Sequence, residues 1–167
     1  MKEREEILAA LQGLSIPYTL TEHPPVHTID DCFQVQALPG GAQIPKNAFL
    51  CNRQGTAYYL MLLEPYAAFR TNVVSKALGV SRLSFAPEEA LHEMLHLSPG
   101  AVTPLALYFD KEARVRLIVD ARLKAHEYLA FHPMENTATV ILPMRAFFEV
   151  FLPAVRHEPT FVEIAQA

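Results

Sequence analysis

The chain has 167 residues, 51% of them apolar and 19% charged, with a formal net charge of −4. These values predict one globular domain over residues 1–167 and exclude a protein that holds nucleic acid through a diffuse positive field. Two cysteines without a CxxC spacing, Cys32 and Cys51, exclude a disulfide scaffold. The charged N-terminal residues and the lack of an apolar run near 18 residues predict a cytoplasmic protein without a membrane span.

The N-terminal third of the chain alternates helical and extended patterns. Apolar residues recur at helical spacing from Ile7 to Leu14 behind an acidic first turn, and residues 18–21 form a short extended run. Thr28 has the character of an N-cap, which predicts a helix ending before the loop at residues 38–41. Residues 46–53 and 57–63 flank Gln54-Gly55-Thr56, the clearest hairpin signal in the chain.

The remaining pattern is mostly extended. We predict helices over residues 72–78, from residue 87 to about 98, and over 144–152. The predicted strands lie at residues 83–85, 102–109, 115–120, 128–132, 137–142 and 161–164. Because helices and strands do not alternate regularly, we expect an α+β fold with a mixed, largely antiparallel, curled sheet and helices packed around it.

One motif suggests metal chemistry. His92-Glu93-Met94-Leu95-His96 matches H-E-x-x-H, in which two histidines one helical turn apart hold zinc and the glutamate acts as a base. The pattern places Ala90, Leu91, Met94 and Leu95 in the core, so both histidines are expected to face solvent. No third ligand is identifiable. We therefore predict no metal or other cofactor and keep a zinc hydrolase as the least favoured alternative.

Three polar segments interrupt the apolar runs. Lys46-Asn47 stands at the start of a strand, which favours an anion site beside a hydrogen-bonding amide. Prolines bracket the glycine of Pro99-Gly100-Ala101-Val102-Thr103-Pro104, a stiff segment whose backbone a ligand could approach closely. The third segment, residues 131–137, contains His132 and joins two strands. Each segment taken alone is more typical of a turn or a solvated strand end.

Taken together and in this order, the segments resemble the YbaK/ProX family of aminoacyl-tRNA deacylases. The resemblance also includes His23-Pro24-Pro25-Val26-His27-Thr28, Tyr58-Tyr59-Leu60, Leu83-Ser84-Phe85-Ala86 and Asp120. No synthetase body accompanies these segments. The match is therefore to the free-standing branch of the family, which removes alanine from mischarged tRNA(Pro).

The resemblance implies roles for nine residues. Lys46 would hold the phosphate or terminal adenosine of the tRNA, Asn47 would fix the aminoacyl ester or its amino group, and the backbone at Gly100 would face the ester carbonyl. A water would attack the ester, assisted by the ribose hydroxyl. The residues expected to bind the substrate or shape its pocket are Thr28, Ala101, Thr103, Pro104, His132 and Asn136.

The resemblance also defines the expected partners. They are the 3′ end of aminoacylated tRNA and, as an open question, prolyl-tRNA synthetase; DNA and membranes are not expected. A different class of function stays open beside it, a binding module of the same fold that holds a tRNA end or a synthetase without hydrolysis.

Overall fold

The computed structural model of the protein describes residues 2–25, 42–65, 67 and 69–164. Helix α1 (Glu3–Gly13) has acidic residues in its first turn and buries Ile7 and Leu11. The other helices are α2 (Thr71–Leu78), α3 (Glu88–Leu95) and α4, a continuous run of Met144–Ala146, the π-helical Phe147–Phe151, and Leu152–Ala154. Short 3₁₀ helices span Pro104–Phe109 and Ala121–Ala125.

Among the described residues, eight strands form two sheets. Their bounds are β1 (Thr19–Glu22), β2 (Lys46–Asn52), β3 (Tyr58–Leu63), β4 (Leu83–Phe85), β5 (Val115–Asp120), β6 (Tyr128–Phe131), β7 (Ala138–Pro143) and β8 (Pro159–Val162). The five-stranded sheet has the order β4-β2-β3-β5-β8, and the three-stranded sheet has the order β1-β7-β6. The predicted α+β fold with a mixed, largely antiparallel sheet is confirmed, with its strands divided between two sheets.

The larger sheet is mixed because of how its strands are connected. Strands β2 and β3 form the predicted hairpin, with Lys46 opposite Leu63 and Cys51 opposite Tyr58. Strand β5 then pairs with β3 in parallel, which requires a long crossover that contains α2, β4 and α3. Strand β8 also joins β5 in parallel. The parallel pairs therefore place the carboxyl ends of β3 and β5 at the same edge of the sheet as the start of β2.

The two faces of β2 contribute to two different cores. The larger core contains Phe49 with side chains from α1, α3, α4 and the smaller sheet, while Ala48 and Leu50 pack against α2 in a second core. A small third cluster joins Ala42 and Ile44 to the smaller sheet. Among the described residues, no helix is both long and apolar enough to cross a membrane.

One predicted strand is wrong. The apolar run at residues 102–109 forms the 3₁₀ helix Pro104–Phe109 instead. Thr103 Oγ1 accepts a hydrogen bond from the Leu105 N–H at 3.3 Å, and Pro104 is the first helical residue. Proline has no N–H to donate to a β-ladder, whereas it suits the first turn of a helix. The sequence therefore contains a local signal for a helix start, and this signal outweighs the tendency of the apolar run to form a strand.

Candidate functional site

Lys46 is the first residue of β2 and is half-buried. Its Nζ donates a hydrogen bond of 2.9 Å to the carbonyl oxygen of Ala67, in the loop that follows β3. Within the described part of the chain no carboxylate forms an ion pair with this ammonium group. Removing a cation partly from water is costly unless an opposite charge approaches it. The site therefore has a positive charge that an anionic ligand could neutralise.

Asn47 faces the other side of the sheet, because successive side chains of a strand alternate. It is opposite Leu62 of the larger core, whereas Lys46 is opposite Leu63 of the second core. Asn47 Nδ2 donates to the Pro45 carbonyl at 3.2 Å. Its Oδ1 is out of contact with solvent, and no donor among the described residues reaches it. An acceptor left in this state costs about 1–3 kcal/mol, which a donor on a bound ligand would recover.

The loop that carries Ala67 is anchored by a buried carboxylate. Asp120, at the carboxyl end of β5, is fully buried and accepts a hydrogen bond from the Glu64 N–H at 3.3 Å. Arg122 binds the same carboxylate at 2.7 Å. Burial alone would raise the pKa of Asp120, but the hydrogen bonds from Arg122 and the Glu64 backbone lower it overall. Asp120 therefore remains charged and fixes the start of the loop.

His132 and His23 form a second group of polar side chains, on the smaller sheet. His132 Nδ1 lies 2.9 Å from the Ala138 carbonyl, and because a carbonyl only accepts, Nδ1 carries the proton. His23 Nε2 lies 2.7 Å from Thr139 Oγ1, and the two imidazole rings are 6.3 Å apart. This arrangement leaves Nε2 of His132 as an acceptor for a ligand.

The surroundings of His132 keep its ring neutral. Burial lowers the pKa of His132, the hydrogen bond to Ala138 opposes that effect, and the nearby His23 lowers the pKa further. The net result lies below the ordinary value of 6.5. At neutral pH the ring is therefore a hydrogen-bond acceptor and not a cation.

An isolated bridge connects the segment before β2 with β6. Gln43 pairs in parallel with Leu129 of β6 through hydrogen bonds of 3.3 Å from its N–H to Tyr128 and 2.9 Å from the Ala130 N–H to its carbonyl. Downstream of this pairing both segments run in the same direction. Lys46, at the start of β2, and His132, after the end of β6, each follow this bridge by three residues.

The segment at residues 100–104 does not form an open row of free backbone donors. Gly100 is exposed in a turn, and the Ala101 N–H is already used in a 3.0 Å hydrogen bond to the Ser98 carbonyl. Thr103 and Pro104 are buried and start the 3₁₀ helix. No hydrogen bond among the described residues joins this segment to Lys46, Asn47 or His132. Of this segment, Gly100 is exposed and Val102 is half-buried, whereas Ala101, Thr103 and Pro104 are buried.

Two predicted site residues have a limited structural account. Asn136 is half-buried in the connection between β6 and β7 and has an interaction with another residue. Thr28, with its predicted helix, lies outside the described residues. Sequence reasoning gave no role to the Ala67 carbonyl, which contacts Lys46, or to the His23 ring, which packs near His132 and contacts Thr139. Of these only His23 carried a signal, as the first residue of the His23-Pro24-Pro25 segment.

The H-E-x-x-H match lies on a helix that ends within the motif. His96 closes α3 in the left-handed conformation at φ 59°, and its Nδ1 lies 2.6 Å from Glu3 Oε2 of α1. His92, Glu93 and His96 are exposed, as predicted. Among the described residues no group of three potential metal ligands comes together. The motif thus participates in contacts between α1 and α3.

A family model matches most of the chain. The model of the aminoacyl-tRNA editing domain matches residues 23–149. The matched region begins at His23 and includes Lys46, the segment at residues 100–104 and His132. It covers more than half of the chain.

Curated relatives span nearly the same length as this chain. The prolyl-tRNA editing protein ProX of Acetoanaerobium sticklandii is 34% identical over 142 residues, covering 85% of this chain and 86% of that protein. The prolyl-tRNA synthetase associated domain-containing protein 1 of Mus musculus is 34% identical over 161 residues, covering 93% of both chains.

Solved structures share the fold at lower identity. A crystal structure described as a candidate trans-editing enzyme for prolyl tRNA synthetase has a TM-score of 0.72 at 15% identity and covers 99% of both chains. The hypothetical protein APE2540 also has a TM-score of 0.72, at 16% identity. The chain belongs to the aminoacyl-tRNA editing domain family and is thereby assigned to the aminoacyl-tRNA deacylases, hydrolases that cleave an aminoacyl ester from tRNA.

Proposed function

We propose that the protein edits mischarged tRNA in trans and that its substrate is Ala-tRNA(Pro). The observation that carries this proposal is the half-buried Lys46, which contacts the neutral Ala67 carbonyl and no carboxylate among the described residues. A phosphate of the tRNA 3′ end is the anion that such a cation suits. The relatives named for prolyl-tRNA editing and for association with prolyl-tRNA synthetase support tRNA(Pro) as the carrier.

In the proposed mechanism a water molecule, assisted by the neighbouring ribose hydroxyl, attacks the ester carbon. The bond from that carbon to the ribose oxygen breaks, and the ribose oxygen takes up the proton that the water loses. Lys46 holds the terminal nucleotide, and the unpaired Oδ1 of Asn47 accepts a hydrogen bond from the α-amino group of the amino acid. The exposed backbone at Gly100 approaches the ester carbonyl, where each well-placed donor contributes about 3–4 kcal/mol to the stabilisation of the oxyanion. Positioning of the water supplies the rest, so no side-chain nucleophile is required.

The amino-acid pocket in this proposal is formed by the substrate-binding residues predicted from the sequence. His132 contributes a neutral ring with Nε2 as acceptor, and Asn136 lies in the same connection. Thr103 and Pro104 act indirectly, because they fix the helix start beside Ala101. Thr28 completes the proposed pocket.

The weak discrimination of a synthetase pocket against smaller amino acids explains why a second, editing site is needed. A synthetase pocket shaped for proline rejects a smaller amino acid by only about 1–3 kcal/mol per missing methylene. Alanine is therefore attached to tRNA(Pro) at an appreciable rate. A pocket that admits alanine and excludes proline by size corrects the error without the need for a strong difference in affinity.

The proposal is tested by a deacylation panel. Purified protein is mixed with tRNA(Pro) that carries alanine, serine, cysteine or proline, and with alanine on its own tRNA as the control. We expect fast release of alanine from tRNA(Pro) and little release of proline. Faster release of proline or of another amino acid would contradict the assigned substrate, and tight binding of charged tRNA without any release would favour the non-catalytic binding module.

A further inference from the structure

An aromatic side chain lies open to solvent beside the second core. Phe85 is 64% exposed although it belongs to a strand, and its ring packs at 5.5 Å against that of Phe69 at an angle of 57°. Strand β4, which carries Phe85, is an edge strand of the five-stranded sheet. Exposure of a large apolar ring costs free energy that a stacking partner would recover.

A polar cleft lies at the start of the same strand, where Ser84 faces the other side of β4 from Phe85. It has a volume of about 580 Å³, and two side chains of its lining are arginines. The lining residues are Arg53, Gln54, Ser81, Arg82 and Ser84. No carboxylate lines it, and neither arginine forms an ion pair within the described ranges. In a chain of net charge −4 this is a local positive site with hydroxyl donors beside it.

The turns that carry the two arginines are held by internal hydrogen bonds. Asn52 Oδ1 accepts from the Thr56 N–H at 2.9 Å and from the Ala57 N–H at 3.1 Å, which fixes the turn around Arg53. The buried Ser75 Oγ accepts from the Leu83 N–H at 3.0 Å, next to Arg82. A pre-organised site loses little conformational entropy when a ligand binds.

The aromatic ring and Lys46 lie on the same face of the sheet. Phe85 is opposite Leu50 in the pairing of β4 with β2, and Leu50 shares the alternation of Lys46. Four residues of β2 separate these positions, which corresponds to about 14 Å along the strand. Ala48, between these positions, and Leu50 are buried in the second core. At roughly 3.4 Å per stacked nucleotide, about four nucleotides would therefore span this distance over the loop that contains Ala67 and Phe69. Phe69 also follows Ala67, the residue that holds Lys46 Nζ.

We propose that Phe69, Phe85, Arg53 and Arg82 form a track for the single-stranded 3′ end of the tRNA, which we call the β4 track. Unpaired bases stack on Phe85, phosphates enter the arginine cleft, and the terminal nucleotide reaches Lys46. The chemistry recognised is a run of unpaired bases joined by phosphodiesters, since aromatic platforms beside basic grooves bind single strands. The β4 track extends the site of the proposed function and rests on that function for its last nucleotide.

Binding of uncharged tRNA tests the β4 track independently of hydrolysis. The dissociation constant is measured over a range of salt concentrations for the wild type, Phe85→Ala, Arg53→Ala and Arg82→Ala. We expect Phe85→Ala to weaken binding by about 5- to 150-fold. Each arginine variant is expected to reduce the slope of log K against log salt by about 0.7–1. Circular dichroism checks that each variant is folded.

Two surface variants serve as controls. Arg145 is exposed on α4, where it pairs with Glu149 at 3.3 Å, and Val150 is an exposed apolar residue of the same helix. Arg145→Ala and Val150→Ala are expected to bind tRNA as the wild type does. Wild-type affinity and a wild-type salt slope in Phe85→Ala, Arg53→Ala and Arg82→Ala would overturn the β4 track. That conclusion would hold even if these variants no longer bound a synthetase.

A comparison of two substrates separates the β4 track from the proposed function. The ratio of kcat/KM for Ala-tRNA(Pro) to kcat/KM for an alanyl ester of adenosine is expected to fall at least fivefold in the variants, because the short ester lacks the upstream nucleotides. An unchanged ratio would contradict the β4 track. If the wild type releases alanine but the variants bind tRNA as the wild type does, the proposed function would stand and the β4 track would fall. If tRNA binding is weaker in the variants but the wild type releases no alanine, the β4 track would stand and the proposed function would fall.

Discussion

His132 donates from Nδ1 to the Ala138 carbonyl across 2.9 Å, and this bond determines which ring nitrogen can meet a substrate. With the proton held on Nδ1, Nε2 is an acceptor. The lowered pKa of His132, caused first by burial, keeps that acceptor deprotonated at neutral pH. The proposed pocket thus combines a cation, Lys46, with a neutral ring.

The first prediction concerns pH. Because the pKa of His132 lies below 6.5, protonation should abolish its acceptor role only in acid, so deacylation should be level at neutral pH and fall with an apparent pKa below 6.5. The profile of kcat/KM against pH measures this. His132→Gln should lower the rate and remove the acid limb. An acid limb above pH 6.5, or one that persists unchanged in His132→Gln, would rule out His132 as its source.

The second prediction concerns a buried ion pair outside the site. His157 Nε2 lies 2.9 Å from Asp110 Oδ2, and both side chains are 3% exposed. Asp110 also accepts hydrogen bonds from the backbone of Arg114 and Val115. Removal of one member of a buried pair typically costs about 3–5 kcal/mol of the free energy of unfolding. We expect a loss of this size in Asp110→Ala, measured by urea unfolding at pH 7, with the exposed Glu112→Ala as control.

The same pair sets a dependence of stability on acid. Burial would raise the pKa of Asp110, but the hydrogen bonds from His157 and the two backbone N–H groups lower it below 3.8. The stabilisation is therefore fully present above pH 3.8 and disappears as the pH falls through the folded-state value. Asp110→Asn should show a flatter decline of stability below pH 4 than the wild type. Equal slopes in the two proteins would contradict the assignment.

The third prediction concerns the helix start at Thr103. Its hydroxyl accepts from the Leu105 N–H, so Thr103→Val should remove the cap and cost about 0.5–2 kcal/mol of stability. If the cap positions the backbone at Gly100 for the ester, kcat should also fall. Thr103→Ser keeps the hydroxyl and should restore both properties. A rate that drops in the serine variant and not in the valine variant would indicate a direct role for the methyl group instead of the hydroxyl.

Local sequence patterns predicted the elements of the fold better than their long-range pairing. The hairpin around Gln54-Gly55-Thr56 has the expected strands because turn residues and apolar alternation act over a few positions. The run at residues 102–109 was assigned wrongly, since a continuous apolar stretch does not distinguish a strand from a buried helical turn. The parallel bridge between Gln43 and Leu129 joins segments far apart in the chain, and no local pattern encodes it.

The candidate site shows the same contrast between local sequence signals and long-range contacts. The position of Lys46 at a strand start follows from local sequence, and its role as an anion site stays a prediction. Its partner, the Ala67 carbonyl, is a backbone atom in a loop 21 residues away and carries no sequence signal. The contact of His23 with Thr139 spans 116 residues and depends on the pairing of β1 with β7. Strand alternation, by contrast, could have shown that Lys46 and Asn47 point to opposite faces.

The central claim is that Lys46 holds the anionic end of the tRNA for hydrolysis. Single-turnover release of alanine from Ala-tRNA(Pro) by Lys46→Ala, beside the exposed Lys76→Ala on α2, tests it most directly. Loss of a charged hydrogen bond of about 1.5–3 kcal/mol predicts a kcat/KM at least tenfold lower in Lys46→Ala and unchanged in Lys76→Ala. Release by folded Lys46→Ala at the wild-type rate would contradict the claim.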